Sequence, residues 1–400
     1  MKHVRSVIRG VVFSALFFSC QMLGVIPDVE PGISIWTISK KISEDLPYPL
    51  FQADVNVSTD VLTIDAPGHY LVRENLTDVV INITSDDVIL DLDGHEVSPP
   101  SSKPTFLSTT FPVIVVSSGY KNITIKNGAV KHMGFTVDST GTNGVRVESN
   151  SYLVTLENLR IFDASIGISL GGTSGNEVLD CSILNCEVND CELGLLFNYS
   201  NRCVASGCRV TASSAAGSSD VGGIRIFNSS FNLVSDCQVT SLLCPASQDV
   251  RAFWSSYGSG NILRRCIAED IGSAGSGDDV VDAYGILLEF ESDAKVLDCI
   301  VNGVFVDSGE EGAAYGMYTG IGVTDCLIQG NKFINSNGTG LDGDFGIGEN
   351  VAIQNIAYNN SVNNYNTANV LNVTVYDHTG GVNPGVDIAY DNIAIEAYSP

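Results

Sequence analysis

Apolar residues recur two positions apart along much of the chain, at the first and third positions after a glycine. The pairs are Val145 and Val147, Ile168 and Leu170, Leu195 and Phe197, Ile224 and Ile226, and Ile286 and Leu288. Successive side chains of a β-strand point to opposite faces, so this period of two predicts strands that each bury one face.

Two further apolar positions follow in each unit. The first is occupied by Val178, Ala205, Val234, Leu263, Val296 and Val323, and the second by Ile183, Val210, Val239, Ala268, Val301 and Ile328. Units of about 23 to 33 residues with three short strands leave no room for crossover helices. We therefore predict an all-β fold, a single-stranded parallel β-helix solenoid of about ten coils.

A polar residue recurs at a fixed distance after the glycine, as in Gly194 and Cys208 or Gly223 and Cys237. We assign one column of stacked residues to Asn127, Asn158, Cys181, Cys208, Cys237, Cys266, Cys299, Cys326 and Asn355. Equivalent residues of successive coils lie about 4.8 Å apart, so Asn amides can bond one another and Cys can fill buried space. We interpret this column as structural.

The N-terminal residues 1–27 are typical of a secretory signal peptide. Lys2, Arg5 and Arg9 precede the apolar run from Val11 to Phe18, and we predict cleavage near residues 20–27. Lipidation of Cys20, which would anchor the protein to a membrane, is an alternative. No later apolar run approaches the roughly 20 residues of a transmembrane helix, so we predict an exported protein without one.

Residues 28–60 are predicted to cap the first coil. Ile35, Ile38, Ile42 and Leu46 follow Ser34 at helical spacing, which predicts a short amphipathic helix covering the open apolar end. The β-helix is assigned to residues 61–358, and residues 359–400 to a C-terminal cap or tail.

Acidic residues dominate the charge. The chain has 46 Asp and Glu against 20 Lys and Arg, a net charge of −26. Nucleic acids and anionic membranes require a basic surface, so neither is an expected partner.

Several strings in this chain resemble proteins of a known superfamily. "APGHYLV", "DDVILDLDGHEV" and "NITIKNGAV", together with the Gly-Ile and Asn/Cys repeats, are similar to right-handed parallel β-helix proteins of the pectin-lyase-like superfamily. The resemblance implies a right-handed helix over roughly residues 55 to 360. It does not fix an activity, because the superfamily includes lyases, hydrolases, epimerases, tailspikes and adhesins, and the Gly-His-Gly string of polygalacturonases is absent here.

Acidic loops next to the coils are the first candidate site. Asp278, Asp279 and Asp282 precede one strand, and Glu310 and Glu311 precede the equivalent strand of the next coil. Two facing groups of carboxylates can bind Ca²⁺, or can supply an acid and a base to a sugar. Solvated surface loops are the alternative interpretation.

A second candidate lies where aromatic residues interrupt the glycine pattern. Trp254 and Tyr257 are aromatic groups that can stack on a sugar, with Arg251 beside them, although core packing is the alternative. The clustered cysteines from Cys181 to Cys208 admit local disulfides such as Cys186 to Cys191 or Cys186 to Cys203, buried free thiols, or a zinc site.

These features favour an exported, acidic, non-catalytic β-helix protein of the periplasm or cell surface. It would bind a glycan, a cation or a partner through acidic loops on one face, with Ca²⁺ as an optional ligand and no required cofactor. The alternative is a polysaccharide-active enzyme, a lyase, glycoside hydrolase or epimerase, that uses the same carboxylates.

Overall fold

A computed structural model of the protein describes residues 47–56, 58–100, 111–132, 142–211, 221–244, 249–273, 281–306, 312–344, 351–353, 355–358 and 363–368. The chain divides into two units, Met1–Pro47 and Tyr48–Pro400, and of the first the structure describes Pro47 alone. The predicted signal peptide, Cys20 and the predicted capping helix therefore lie outside the described residues.

The described elements are short strands and one 3-10 helix, Gln52–Asp54. In chain order the strands are β1 (Tyr48–Leu50), β2 (Val61–Ile64), β3 (Gly68–Val72), β4 (Val80–Ile83), β5 (Val88–Asp91), β6 (Glu96–Val97), β7 (Phe111–Val116), β8 (Lys121–Lys131), β9 (Thr142–Glu148), β10 (Tyr152–Phe162), β11 (Ile166–Gly171), β12 (Val178–Leu179), β13 (Ser182–Leu184), β14 (Glu187–Asn189), β15 (Leu193–Asn198), β16 (Ser200–Asn201), β17 (Val204–Ser206), β18 (Arg209–Thr211), β19 (Val221–Phe227), β20 (Leu233–Ser235), β21 (Gln238–Cys244), β22 (Val250–Ser259), β23 (Ile262–Arg264), β24 (Ile267–Ser273), β25 (Ala283–Ser292), β26 (Lys295–Leu297), β27 (Ile300–Val306), β28 (Ala314–Thr319), β29 (Leu327–Gln329), β30 (Lys332–Ile334), β31 (Thr339–Asp344), β32 (Val351–Ile353), β33 (Ile356–Tyr358) and β34 (Asn363–Ala368).

The strands form two parallel sheets. A 12-stranded sheet receives one strand from each coil, for example β19, β22 and β25, and the strands between them belong to a 22-stranded sheet. One coil therefore runs from β22 through β23 and β24 and returns to the 12-stranded sheet at β25. This arrangement confirms the predicted all-β parallel solenoid. The coil number of about ten stays a prediction.

The predicted inward positions are aligned from coil to coil. Ile168 pairs with Leu195, Leu195 with Ile224, Ile224 with Phe253, and Phe253 with Ile286. All of these side chains are buried. The period-two pattern therefore correctly identifies the inner face of this sheet, and burial of its apolar area drives coil stacking.

The repeated glycine reflects a close approach between neighbouring coils. A Cβ at Gly223 would lie 2.4 Å from the carbonyl oxygen of Ala252 and 2.5 Å from a methyl group of Val239. Gly285 is confined in the same way, with Val301 Cγ1 at 2.3 Å. The coil that carries Ala252 has Ala268 where its neighbours carry Val239 and Val301. The smaller Ala268 leaves room for the Ala252 methyl group.

The single predicted polar column is wrong, because its members occupy different positions in the coil. One true column, which we call column one, contains Cys181, Cys203, Asn232, Asn261, Ala294 and Cys326. The other, column two, contains Cys186, Cys208, Cys237, Cys266, Cys299, Asn331 and Asn355. Asn127 and Asn158 belong to neither, since both occupy a turn position with positive φ.

The misassignment has a simple cause. Residues 172–177 extend the connection between β11 and β12, so counting 14 residues from Gly167 reaches Cys181, at an earlier turn of the coil. The interpretation as a structural column holds for both true columns. The Asn232 backbone N–H donates to Asn261 Oδ1 at 3.0 Å, and the Cys299 N–H donates to Asn331 Oδ1 at 2.8 Å.

The ten described cysteines are buried thiols, and none of them forms a disulfide with another described cysteine. Of the alternatives left open by the sequence, buried free thiols therefore describe them, and the two local disulfides are absent among these residues. No described helix has the length and apolarity needed to cross a membrane.

Candidate functional site

The outer face of the 12-stranded sheet carries a group of cationic, aromatic and acidic side chains. On neighbouring strands of this sheet, Arg225 pairs with Trp254. Arg251 pairs with Tyr284, which pairs in turn with Tyr315. These positions lie two residues after, and one residue before, the repeated glycine. We call the set formed by Arg225, Arg251, Trp254, Tyr284, Glu289, Tyr315 and Tyr318 the outer-face cluster.

Trp254 lies at the centre of this cluster, between two arginines. The guanidinium carbon of Arg225 is 3.7 Å from the indole centroid, and that of Arg251 is 4.3 Å from it. The indole N–H donates a hydrogen bond to Glu289 Oε2 at 3.1 Å. Cation–π attraction and this hydrogen bond fix the orientation of the indole on the sheet.

Carboxylates hold Arg251 and the adjoining strand in place. Arg251 Nη2 lies 2.6 Å from Asp249 Oδ2, and the Asp282 backbone N–H donates to Asp249 Oδ1 at 3.0 Å. Asp282 repeats the pattern one coil later, where its Oδ1 accepts the backbone N–H of Ala313 at 2.8 Å. Its Oδ2 accepts the hydroxyl of Tyr284, also at 2.8 Å. Each carboxylate therefore joins its own coil to the next.

Three tyrosines extend the aromatic surface along the helix. Tyr284 and Tyr315 stack with centroids 5.3 Å apart, and Tyr318 lies 5.0 Å from Tyr315. Burial raises the pKa of Tyr315 to about 12, and burial together with the nearby Asp282 carboxylate raises the pKa of Tyr284 further. Both phenols are therefore neutral hydrogen-bonding groups at neutral pH.

The structure brings together part of the predicted site. Arg251, Trp254 and Asp282 meet at or beside the outer-face cluster, whereas Asp278, Asp279, Glu310 and Glu311 lie outside the described residues. Tyr257 lies further along strand β22, where it stacks on Phe290 with centroids 4.7 Å apart. It also contacts Phe227 edge-on at 5.7 Å, and the guanidinium carbon of Arg225 is 4.5 Å from the Phe227 ring. Trp254 is an outward residue that is partly exposed, so the alternative of core packing does not describe it.

Sequence reasoning missed Arg225, Tyr284, Glu289, Tyr315 and Tyr318. The sequence could have identified most of them, because the outward-facing positions lie at fixed distances from the repeated glycine. Glu289 carried no such signal, because its role depends on contact with an indole of the preceding coil.

No group of three or more metal-ligating residues is placed to hold a metal ion in the part of the chain that the structure describes. Asp282 alone of the proposed calcium ligands belongs to that part, and both of its carboxylate oxygens accept hydrogen bonds from the protein.

Comparison with known proteins supports the fold. A family model described as a right-handed β-helix region matches residues 121–320, which is half of the chain. A search of curated protein sequences found no match.

Several solved structures are similar at low identity. A periplasmic alginate epimerase, AlgG, is 13% identical, with 86% of this chain and 82% of that chain covered and a TM-score of 0.39. The Azotobacter vinelandii mannuronan C-5 epimerase AlgE4 A-module is 13% identical over 90% of this chain and 98% of that chain, with a TM-score of 0.37. A GH136 lacto-N-biosidase from Eubacterium ramulus is 10% identical over 86% and 70%, with a TM-score of 0.41. At this distance the likenesses carry no conclusion about activity.

Proposed function

The chain belongs to the right-handed β-helix family, and from that premise we propose that it is an exported glycan-binding protein. The outer-face cluster is the proposed binding surface. The observation that carries the proposal is the Trp254 indole between Arg225 and Arg251, beside a group of tyrosines on the outer face of a sheet.

The chemistry of the cluster suits a sugar chain. The partly exposed rings of Tyr315 and Tyr318 supply apolar surface for the C–H faces of sugar rings. Guanidinium groups donate several hydrogen bonds to hydroxyls or carboxylates, and Glu289 accepts them. Parallel coils repeat these groups at about 4.8 Å intervals, which presents an extended surface to an extended polymer.

We propose binding without cleavage. Asp282, one of the predicted catalytic carboxylates, uses both oxygens to bond Ala313 and Tyr284, and this supports a role in positioning the strands. Export is part of the proposal, with Cys20 as an alternative lipid anchor.

The test is incubation of the purified protein with acidic and neutral polysaccharides, with and without Ca²⁺, scoring both retained binding and new chain ends. Binding without new chain ends is expected. The Trp254→Ala variant should lose most of this binding, whereas the matched Tyr48→Ala variant should keep it, because Tyr48 is an exposed aromatic residue of β1 that contacts Tyr70 and lies several coils from the cluster. Appearance of new chain ends would establish an enzyme instead, and equal binding by both variants would place the glycan elsewhere.

A further inference from the structure

Coil stacking, and not closeness in the sequence, determines which cysteines of this protein are neighbours. Cys186, Cys208, Cys237, Cys266 and Cys299 occupy one position in successive coils, and Cys181 and Cys203 occupy another. All are buried free thiols. None belongs to the outer-face cluster, so a role for these cysteines does not depend on the proposed glycan binding.

Thiols of neighbouring coils contact one another directly. The Cys181 and Cys203 thiols are hydrogen-bonded, and the Cys181 backbone N–H also donates to Cys203 Sγ at 3.4 Å. Cys208 accepts S–H bonds from both Cys186 and Cys237, and these bonds lower the pKa of the Cys208 thiol. Cys208 therefore has a sulfur neighbour on each of the two adjoining coils of column two.

Distance separates the thiol pairs that can join from those that cannot. Paired positions of neighbouring parallel strands lie roughly 4.7 to 4.9 Å apart, within the roughly 4.4 to 6.8 Å between Cα atoms that a disulfide spans. Cys186 immediately precedes the three-residue strand β14 and Cys191 lies two residues after it, so the extended strand alone, at about 3.3 Å per residue, separates them by roughly 10 Å. The sequence-local pair is therefore out of reach in the folded coil.

We propose that columns one and two are cross-linking sites, at which oxidation joins cysteines of neighbouring coils and staples the solenoid. The expected pairs are Cys181 with Cys203, and Cys208 with one of its two neighbours in column two. The oxidant is a small or protein disulfide. The Cys208 thiolate attacks one sulfur of that disulfide, forming a mixed disulfide and releasing one thiolate.

The neighbouring cysteine, as its thiolate, then attacks the Cys208 sulfur and releases the second thiolate of the oxidant. Two cysteine thiols lose two protons and two electrons, and one disulfide is reduced to two thiols. Burial excludes the oxidant from the folded core. The reaction therefore belongs to folding or to opened coils, and the native protein should be protected from it.

The test is refolding of the full chain with reduced or oxidised glutathione, followed by blocking of free thiols and mass spectrometric mapping of cross-linked peptides. We expect cross-links between Cys181 and Cys203, and between Cys208 and Cys186 or Cys237, in a refolded product that melts several degrees above the reduced protein. Cys181→Ala should remove only the first cross-link, and Cys244→Ala, which lies outside both columns, should remove neither.

Two results would overturn the proposal. One is a refolded protein whose cross-links join cysteines within a coil, such as Cys186 and Cys191. The other is a protein that refolds in oxidised glutathione with every column thiol still free. Loss of folding with Cys181→Ala does not obscure the result, because the wild-type peptide map is decisive by itself.

Discussion

Arg225 and Trp254 lie on successive coils, with the guanidinium carbon 3.7 Å from the indole centroid. They are 29 positions apart in the chain and directly opposite one another in the sheet. The outer-face cluster exists because parallel coils bring equivalent outward positions into contact. It is therefore a property of the solenoid and not of any one loop.

Replacement of Arg225 tests the glycan-binding role of this contact. Arg225→Leu removes a guanidinium donor and the cation–π contact that orients Trp254, of the order of 0.5 to 2 kcal/mol, so affinity for the bound polysaccharide should fall roughly 2- to 30-fold. Calorimetric titration measures the change. Arg202→Leu is the matched control, because Arg202 forms an exposed ion pair with Asp180 away from the cluster and should leave affinity unchanged. Equal losses in both variants would contradict a specific role for Arg225.

The repeated glycine should be intolerant of even one methyl group. Gly285→Ala places a Cβ 2.3 Å from Val301 Cγ1 and 2.5 Å from the Gly316 carbonyl oxygen, so we expect a loss of about 1 to 3 kcal/mol of stability. The coil that carries Ala252 has Ala268 in place of valine, so a second change to alanine should relieve the steric clash. Gly285→Ala combined with Val301→Ala should be more stable than the sum of the single changes predicts, as measured by urea unfolding. Strict additivity would argue against the steric explanation.

Glu291 should make stability depend on pH. Its carboxyl is buried, accepts a 2.6 Å hydrogen bond from Ser255 and is bonded by Asn261, and burial raises its pKa to about 7 from 4.5. The unfolded chain loses this proton first, so stability is full below about pH 4.5, falls as pH rises towards 7 and then levels off. The total loss is about 3 kcal/mol by this order-of-magnitude argument.

The comparison of Glu291→Gln with the wild type isolates this contribution. The amide cannot ionise, so its unfolding free energy should vary less between pH 5 and pH 7.5 than that of the wild type. Thermal unfolding across that range supplies the measurement. Parallel pH profiles for the two proteins would show that Glu291 does not carry the effect.

The asparagines at the end of column two should contribute strongly to stability. Asn331 Oδ1 accepts the Cys299 backbone N–H at 2.8 Å, and its amide donates to the Val296 carbonyl at 2.9 Å. Asn331→Ala leaves both backbone groups buried without these partners, at a cost of about 2 to 4 kcal/mol.

The control for this variant is Asn335→Gly. This substitution removes an exposed hydrogen bond from the Asn335 side-chain amide to Asn302. It places glycine at a φ of 57°, a conformation that glycine adopts easily. We expect its midpoint of urea unfolding to change little. If both variants unfold at the same denaturant concentration, the buried hydrogen bonds of the Asn331 side chain are not a major source of stability.

The alternation of apolar and polar residues was sufficient to predict the strands and the inner face. Ile168, Leu195 and Ile224 repeat at a period that only a half-buried strand explains, and their alignment in the sheet confirms it. The columns were harder to predict, because a count of residues from the glycine ignores insertions. The additional residues between β11 and β12 moved Cys181 out of the column that contains Cys208.

The sequence alone determined the fold class, the inward positions and the glycine repeat, since each depends on local alternation or on side-chain size. The tertiary structure decided which residues face each other across coils, including Arg225 with Trp254, Asp282 with Ala313, and Cys208 with Cys237. These relationships depend on coil length, because every inserted residue shifts the register between neighbouring coils. Hydrogen bonding and packing between complete coils set that register, and no single repeat unit contains the information.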